Sequence, residues 1–323
     1  MQVIRDLQQI SKPLEASVVT IGNFDGVHLA HQQLLKHVME RARCSQALAA
    51  AVTFEPHPIK LLAPHRAPKV LTALDRKIQL IGNLGMDEAV VLPFTRELAH
   101  LSPSDFVDKI LRERLSAIAV IVGPNFRFGY RQAGDVNTLA ELGRERGFEV
   151  EVVSYIEVRG QRVSSTRIRE LLAAGRVHTA GRLLGRPFSN FGPIAAGRGV
   201  GRKQTVPTVN FAPVEEQLPG TGVYVTRTRL DSGMHQSVTN VGYKPTFGDL
   251  DLSVETYLLN FQGEIHEKEV EIEYLHRLRD EIKFQNPEML KIQIQEDVRR
   301  SRKFFRMLKE IEDRLGKLPG LSR

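Results

Sequence analysis

Short, almost wholly apolar runs alternate with amphipathic stretches through the first half of the chain. Val18 to Ile21, Leu48 to Phe54, Glu88 to Leu92, Ala117 to Val122 and Phe148 to Val153 read as strands. Between them, His31 to Arg43, Asp75 to Leu84, Val136 to Arg146 and Ser165 to Ala174 read as helices; Leu34, Leu35, Val38 and Ala42 show the helical spacing. Pro103 opens another helix behind Ser102 as N-cap, with Phe106, Val107, Ile110 and Leu111 on its apolar side. A run apolar at every position, such as Ala117 to Val122, is expected where helices cover both faces of a sheet. The alternation predicts a parallel three-layer α/β domain. Glu55-Pro56-His57-Pro58 interrupts it, because two prolines rule out ordinary regular structure.

The pattern changes near Gly181. Glycine and proline become frequent, and Gly222 to Arg229, Gln236 to Val241, Ser253 to Leu259 and Glu269 to Glu273 read as strands of a small β-barrel. Pro287 to Leu315 mixes apolar residues with Lys, Arg and Glu and predicts one closing helix or two. The domain boundary is expected between residues 180 and 186, giving domains of 1–182 and 183–323.

Composition adds bounds rather than detail. A chain of 323 residues exceeds the usual single domain, and its one cysteine, Cys44, excludes an internal disulfide and a cysteine-rich metal site. Met1 to Ile10 lacks the apolar core of a signal peptide and no run reaches transmembrane length, so a soluble, cytoplasmic protein is expected, with a monomer as default. The net charge of +7 suits anionic ligands and permits nucleic-acid binding without demonstrating it.

Candidate chemistry gathers where strands end. Gly22-Asn23-Phe24-Asp25-Gly26-Val27-His28-Leu29-Ala30-His31 joins an apolar run to a helix, and a helix N-terminus there offers free N–H groups and a positive dipole end to a phosphate. His28 and His31, three residues apart, share one helical face if helical geometry begins at His28; a tight turn bearing two satisfied histidines is the plainer alternative. Gly123 to Gly129 adds Asn125, Arg127 and two phenylalanines, residues that can hold a planar ring beside a phosphate or equally pack and pair locally. Ser164, Ser165 and Thr166 begin a helix that carries Arg167 and Arg169; N-capping explains the hydroxyls but not the arginines. In the second half, Gly197-Arg198-Gly199-Val200-Gly201-Arg202-Lys203 lacks both the dinucleotide and the Walker A spacing, leaving a basic phosphate flap or a barrel turn. Thr208 and Asn210 share a face if extended and are neutral oxygen donors suited to a nucleotide-bound magnesium. Glu255 interrupts a β-rich run as a candidate base or a solvent-facing carboxylate.

Taken in order, these segments, with Thr53-Phe54-Glu55-Pro56-His57-Pro58, Gly185-Arg186-Pro187-Phe188 and Leu275-His276-Arg277-Leu278-Arg279, resemble the bacterial bifunctional riboflavin kinase and FAD synthetase family over essentially the whole chain. The resemblance implies a Rossmann-like N-terminal nucleotidyltransferase and a C-terminal flavokinase β-barrel with a terminal helix. It implies two reactions: riboflavin plus ATP to FMN plus ADP, then FMN plus ATP to FAD plus pyrophosphate. By resemblance, Gly22, Phe24, Asp25, His28, His31, Ser164, Ser165, Thr166 and Arg169 handle ATP phosphates, with His28, His31 and Arg169 in the adenylylation chemistry. Asn125 and Arg127 match the flavin region, while Gly197, Gly199, Gly201 and Lys203 stay candidate phosphate-binding residues on their own composition. Thr208 and Asn210 match the Mg2+ site, and Glu255 the base for the ribityl hydroxyl. Partners are then the small molecules riboflavin, FMN and ATP, with no nucleic acid and no membrane. Ala30 stands where the family has glycine, and Ile265-His266-Glu267 departs from an aromatic-Gly pattern. An adenylyltransferase for another substrate would leave Thr208, Asn210 and Glu255 unused. An RNA-binding protein would explain the charge but not the separate placement of histidines, hydroxyls and carboxylate.

Overall fold

The computed structural model describes residues 1–10, 13–194, 208–211, 215–245, 250–262 and 265–315. The chain divides into two compact units, Met1–Arg167 and Ile168–Arg323.

The first unit is built on six strands: β1 (Gln2–Ile4), β2 (Ser17–Ile21), β3 (Leu48–Glu55), β4 (Glu88–Pro93), β5 (Ala117–Val122) and β6 (Glu149–Val152). They form one sheet in the order β1-β4-β3-β2-β5-β6, and every neighbouring pair is parallel. Alternate residues of β2, β3 and β5 feed two cores, and β4 feeds one of them. Val19, Ile21, Ala50, Val52, Val90, Leu92, Val120 and Val122 pack on one side, and Val18, Ala49, Ala51, Ala119 and Ile121 on the other. Helix α1 (Leu29–Cys44) covers the second side with Leu34, Leu35, Val38 and Ala42, the stripe the sequence predicts. Burial on both faces explains why β5 needs an apolar residue at every position. From β2 the chain moves to β3 on one flank, and later crosses to β5 on the other. The carboxyl ends of β2 and β5 therefore flank a reversal of strand order, where open α/β sheets bind ligands.

Three local outcomes depart from expectation. β1 is too short to show an alternation. Pro58, expected to break structure, opens the short helix Pro58–Leu62, because proline fits a first helical turn that has no N–H to lose, and His57 Nδ1 caps it by accepting from the Ile59 N–H at 3.3 Å. The helix from Pro103, capped by Ser102, passes at Phe106 into a π-helical turn, Val107–Arg112, while keeping Phe106, Val107, Ile110 and Leu111 buried. Helices α2 (Leu74–Gly82), α3 (Val136–Arg146) and α4 (Ser165–Ala173) fall where their periodicity places them.

In the second unit, α5 (Val177–Leu184) precedes β7 (Phe188–Pro193), β8 (Thr208–Phe211), β9 (Gly222–Leu230), β10 (Gly233–Pro245), β11 (Leu250–Leu258) and β12 (Glu269–Arg279). The order is β8-β11-β10-β9-β12-β7, antiparallel throughout. One isolated bridge, Ile194 to Phe211, joins the two edge segments and marks the sheet as a curled half-barrel. One face is lined by buried hydroxyls, where Thr226 bonds Ser237 and Thr239, Thr228 bonds Ser237, and Thr239 bonds Thr256, each at 2.8 Å. The opposite face receives the single long helix α6 (Pro287–Leu315), whose Phe305 enters a core with Val223, Val225, Val238 and Leu275. Arg279 grips Asp297 of that helix through two nitrogens, at 2.8 to 3.1 Å. Among the described residues no helix is long and apolar enough to cross a membrane.

Candidate active sites

The turn after β2 is shaped by three residues with positive φ, Phe24 at 46°, Gly26 at 85° and Val27 at 39°. Gly22 continues the ladder to Val52, and a Cβ there would lie 3.2 Å from the Phe24 ring, so glycine lets that ring tuck under the strand end. Asp25 is buried, and its Oδ1 accepts from the backbone N–H groups of Leu71 at 2.9 Å and Thr72 at 3.3 Å. The Ser165 hydroxyl donates to the Asp25 carbonyl at 2.9 Å, tying the start of α4 to the turn. On the third side, Lys77 Nζ donates to the Asn23 carbonyl at 3.1 Å. Ala30 sits in the first turn of α1 and is not among the positive-φ residues, so its methyl group meets no backbone strain.

This clamped turn delivers the two histidines. His28 is the N-cap of α1, its Nδ1 accepting from the His31 N–H at 3.3 Å. The rings stack at 3.6 Å and 14°, and Phe24 meets His31 edge-on at 5.3 Å. Burial holds the His31 pKa well below its usual 6.5, and the neighbouring His28 and Lys77 push it the same way. Nδ1 of His31 is buried and has no hydrogen-bond partner among the described residues. A neutral imidazole with an unmet nitrogen, at a helix N-terminus, is equipped to bond a phosphate oxygen or an adenine edge rather than to act as a fixed cation.

Across the strand-order reversal, Asn125 and Arg127 follow β5 and are both exposed. The Tyr155 hydroxyl donates to Asn125 Oδ1, and the Arg162 guanidinium lies 3.5 Å from the centre of the Tyr155 ring. Phe126 and Phe128 stack on one another at 5.4 Å and join the core, while Arg127 pairs with Asp135 at 3.5 Å. These contacts are the local packing and pairing that the sequence left open. Ser164 Oγ accepts from the Arg167 N–H at 3.2 Å, as an N-cap does; Thr166 is exposed, and Arg169 lies in the part of α4 assigned to the second unit.

In the second unit, strand register brings the candidate kinase residues into one row. Asn210 of β8 pairs with Glu255 of β11, and Glu255 pairs in turn with Asn240 of β10. Thr208 stands opposite Tyr257 in the strand register, and Asn210, Glu255 and Asn240 share one face of the sheet. That face also carries Val223, Val225 and Val238, which pack under α6, whereas the buried hydroxyls occupy the other. Asn210, Asn240 and Glu255 are each half-buried. Gly197, Gly199, Gly201 and Lys203 lie outside the described residues. Sequence reasoning missed Asn240, whose alternation with Val238 in β10 is the available signal, and Lys77, which reads as an ordinary helix-surface lysine.

Comparison with known proteins follows the same division. The FAD synthetase family model matches residues 10–167 and the riboflavin kinase model residues 184–305. Relatives described as bifunctional riboflavin kinase/FMN adenylyltransferase are similar over nearly the full length. The protein from Pseudomonas fluorescens is 37% identical over 303 residues, covering 94% of this chain and 97% of its own. That from Haemophilus influenzae is 35% identical, covering 94% and 99%, and that from Escherichia coli K12 is 33% identical, covering 96% and 99%. A solved structure described as a macrolide-efflux protein from Streptococcus pneumoniae superposes with a TM-score of 0.83 at 26% identity, over 93% of this chain and 98% of that one. With both family models matched in order and relatives above 30% identity along its length, this chain belongs to the bifunctional riboflavin kinase/FMN adenylyltransferase family.

Proposed function

We propose that the second unit phosphorylates riboflavin with ATP to give FMN and ADP, and that the first unit joins FMN to the adenylyl group of a second ATP, giving FAD and pyrophosphate. For the first unit, the observation that carries the reading is the stacked His28–His31 pair with an unmet buried nitrogen at the strand-order reversal. FMN brings its own nucleophile, a phosphate oxygen, which attacks the α-phosphorus of ATP as the bond to pyrophosphate breaks. The protein then has to align two anions and stabilise charge, which the α1 N-terminus, the histidines and the cations following Ser164 are suited to do. Asn125 and Arg127 are assigned to the flavin and Arg169 to phosphate.

For the second unit, Glu255 accepts the proton of the ribityl 5′-hydroxyl as that oxygen attacks the γ-phosphorus and ADP leaves. Asn210 stands opposite Glu255 on the neighbouring strand. The hydroxyl and amide oxygens of Thr208 and Asn210 are hard, neutral donors, a set that fits Mg2+ when nucleotide phosphates supply the negative charge. When bound, that ion neutralises charge on the phosphates in transfer. Gly197 to Lys203 is assigned to the same nucleotide, and the enzyme to the cytoplasm.

Paired variants test the division of labour. Glu255→Gln is expected to slow FMN formation by about a hundredfold and to leave FMN adenylylation intact, and His28→Ala to do the reverse. Equal loss of both activities in a folded Glu255→Gln protein would contradict the assignment.

A further inference from the structure

Lys77 has no part in the chemistry above, yet it is the one lysine or arginine that is buried among the described residues. It lies on α2 beside the buried Ile78 and Ile81, a position an aliphatic side chain would fill without difficulty. Its ammonium donates to the Asn23 carbonyl at 3.1 Å and to Thr53 Oγ1 at 3.0 Å, bridging the segments that follow or end β2 and β3. Thr53 Oγ1 already donates to the Asn23 carbonyl at 3.3 Å, so hydrogen-bond satisfaction alone does not call for the lysine. Burying a charge here is costly, and burial does lower its pKa, with Glu55 and Asp25 opposing that shift.

We propose that Lys77 is a positioning residue for adenylyl transfer, its ammonium fixing the Asn23 carbonyl and with it the course of the turn that delivers His28 and His31. The proposal rests on the histidine pair being the nucleotide site. The charge has a second effect. The groups acting on His31 are His28 on its own helix and Lys77 from α2, and those acting on Lys77 are Asp25 in the turn and Glu55 at the end of β3. Both neighbours of His31 favour its uncharged ring, so the lysine helps keep an imidazole available where a cation would otherwise form as the solution is acidified.

The test uses the full-length protein, with riboflavin phosphorylation as an internal control and FAD synthesis followed across pH. Lys77→Met is expected to lower kcat for FAD synthesis by about a hundredfold, with riboflavin phosphorylation unchanged. It is also expected to move the acid limb of the pH profile upward toward 6.5, because His31 loses a repelling charge. Lys77→Gln, which keeps an uncharged N–H donor on a side chain one atom shorter, should recover part of the rate while keeping the raised limb, and decides the matter if Lys77→Met does not fold. A purely structural lysine would change the rate and leave the limb in place, and that result, or wild-type rates in both variants, would overturn the proposal. His31→Gln is run alongside. Undiminished FAD synthesis in that variant would instead sink the underlying site assignment.

Discussion

Asp25 offers a sharp test of how the first site is held together. Sequence reasoning groups it with the phosphate-binding residues, whereas its Oδ1 is turned to two backbone donors, Leu71 N–H at 2.9 Å and Thr72 N–H at 3.3 Å. Asp25 is 5% exposed and Leu71 fully buried, so truncation to alanine strands donors that water does not readily reach. At about 1.5–3 kcal/mol for a hydrogen bond to a charged group, with the longer bond at the low end, Asp25→Ala should destabilise the first unit by roughly 3–5 kcal/mol. Asp25→Asn keeps the accepting oxygen and loses only the charge, so a cost of about 1–2 kcal/mol is expected. Urea unfolding of the whole chain, read as the midpoint of the first unit's transition at unchanged slope, measures both. FAD synthesis should follow stability, with Asp25→Asn retaining most of it. If the two variants were equally stable and equally inactive, Asp25 would be acting by charge on the substrate, and the clamp argument would be wrong.

Other outcomes follow from the same contacts. Between its depressed folded pKa and 6.5, His31 binds fewer protons folded than unfolded, so its contribution to stability rises with pH in that window and is lost as pH falls through it. His31→Gln should flatten that part of the stability profile measured by denaturant titration. In the second unit, Arg279 and Asp297 are 14% and 4% exposed at the side chain, and Asp297→Ala leaves a largely buried guanidinium unpaired. A loss of about 3–5 kcal/mol is expected, read as a lowered unfolding midpoint and reduced riboflavin phosphorylation. Gly129→Ala should destabilise the first unit, since φ is 73° there and a Cβ would lie 2.8 Å from Pro103; calorimetry of the variant reads the lowered Tm.

Much of the scaffold was legible because burial writes itself into local pattern. The apolar run of β5 and the α1 stripe of Leu34, Leu35, Val38 and Ala42 could be placed within a residue or two, since each answers to one face of one core. Elements whose cause is non-local were not legible. Helix α5 was missed because Gly181 and the flanking Gly185 read as a boundary, whereas Gly181 is there to admit Arg186 O, 3.2 Å from where a Cβ would sit. At the candidate site, the strand–turn–helix seam is what singles out the two histidines in the sequence, and the structure stacks their rings. What Asp25 holds was not legible, because the backbone N–H groups that donate to it lie 46 and 47 residues away in a loop with no periodicity. Lys77 was hidden for a related reason: its spacing shows a helix, and only the sheet behind that helix shows that the ammonium is enclosed. In the second unit, alternation singles out Thr208 and Asn210 if the chain is extended, but only the strand register aligns Asn210 with Glu255 and Asn240.

The central claim, two ATP-dependent steps on one chain with FMN as the product of one and the substrate of the other, is tested most directly by a single time course. The purified protein is incubated with riboflavin, ATP and Mg2+, and FMN, FAD, ADP and pyrophosphate are followed together. The expected result is FMN rising before FAD, with ADP released in step with total flavin phosphorylated and pyrophosphate in step with FAD. FMN accumulating without FAD or pyrophosphate would contradict the first-unit assignment, and an absence of flavin conversion would contradict the account as a whole.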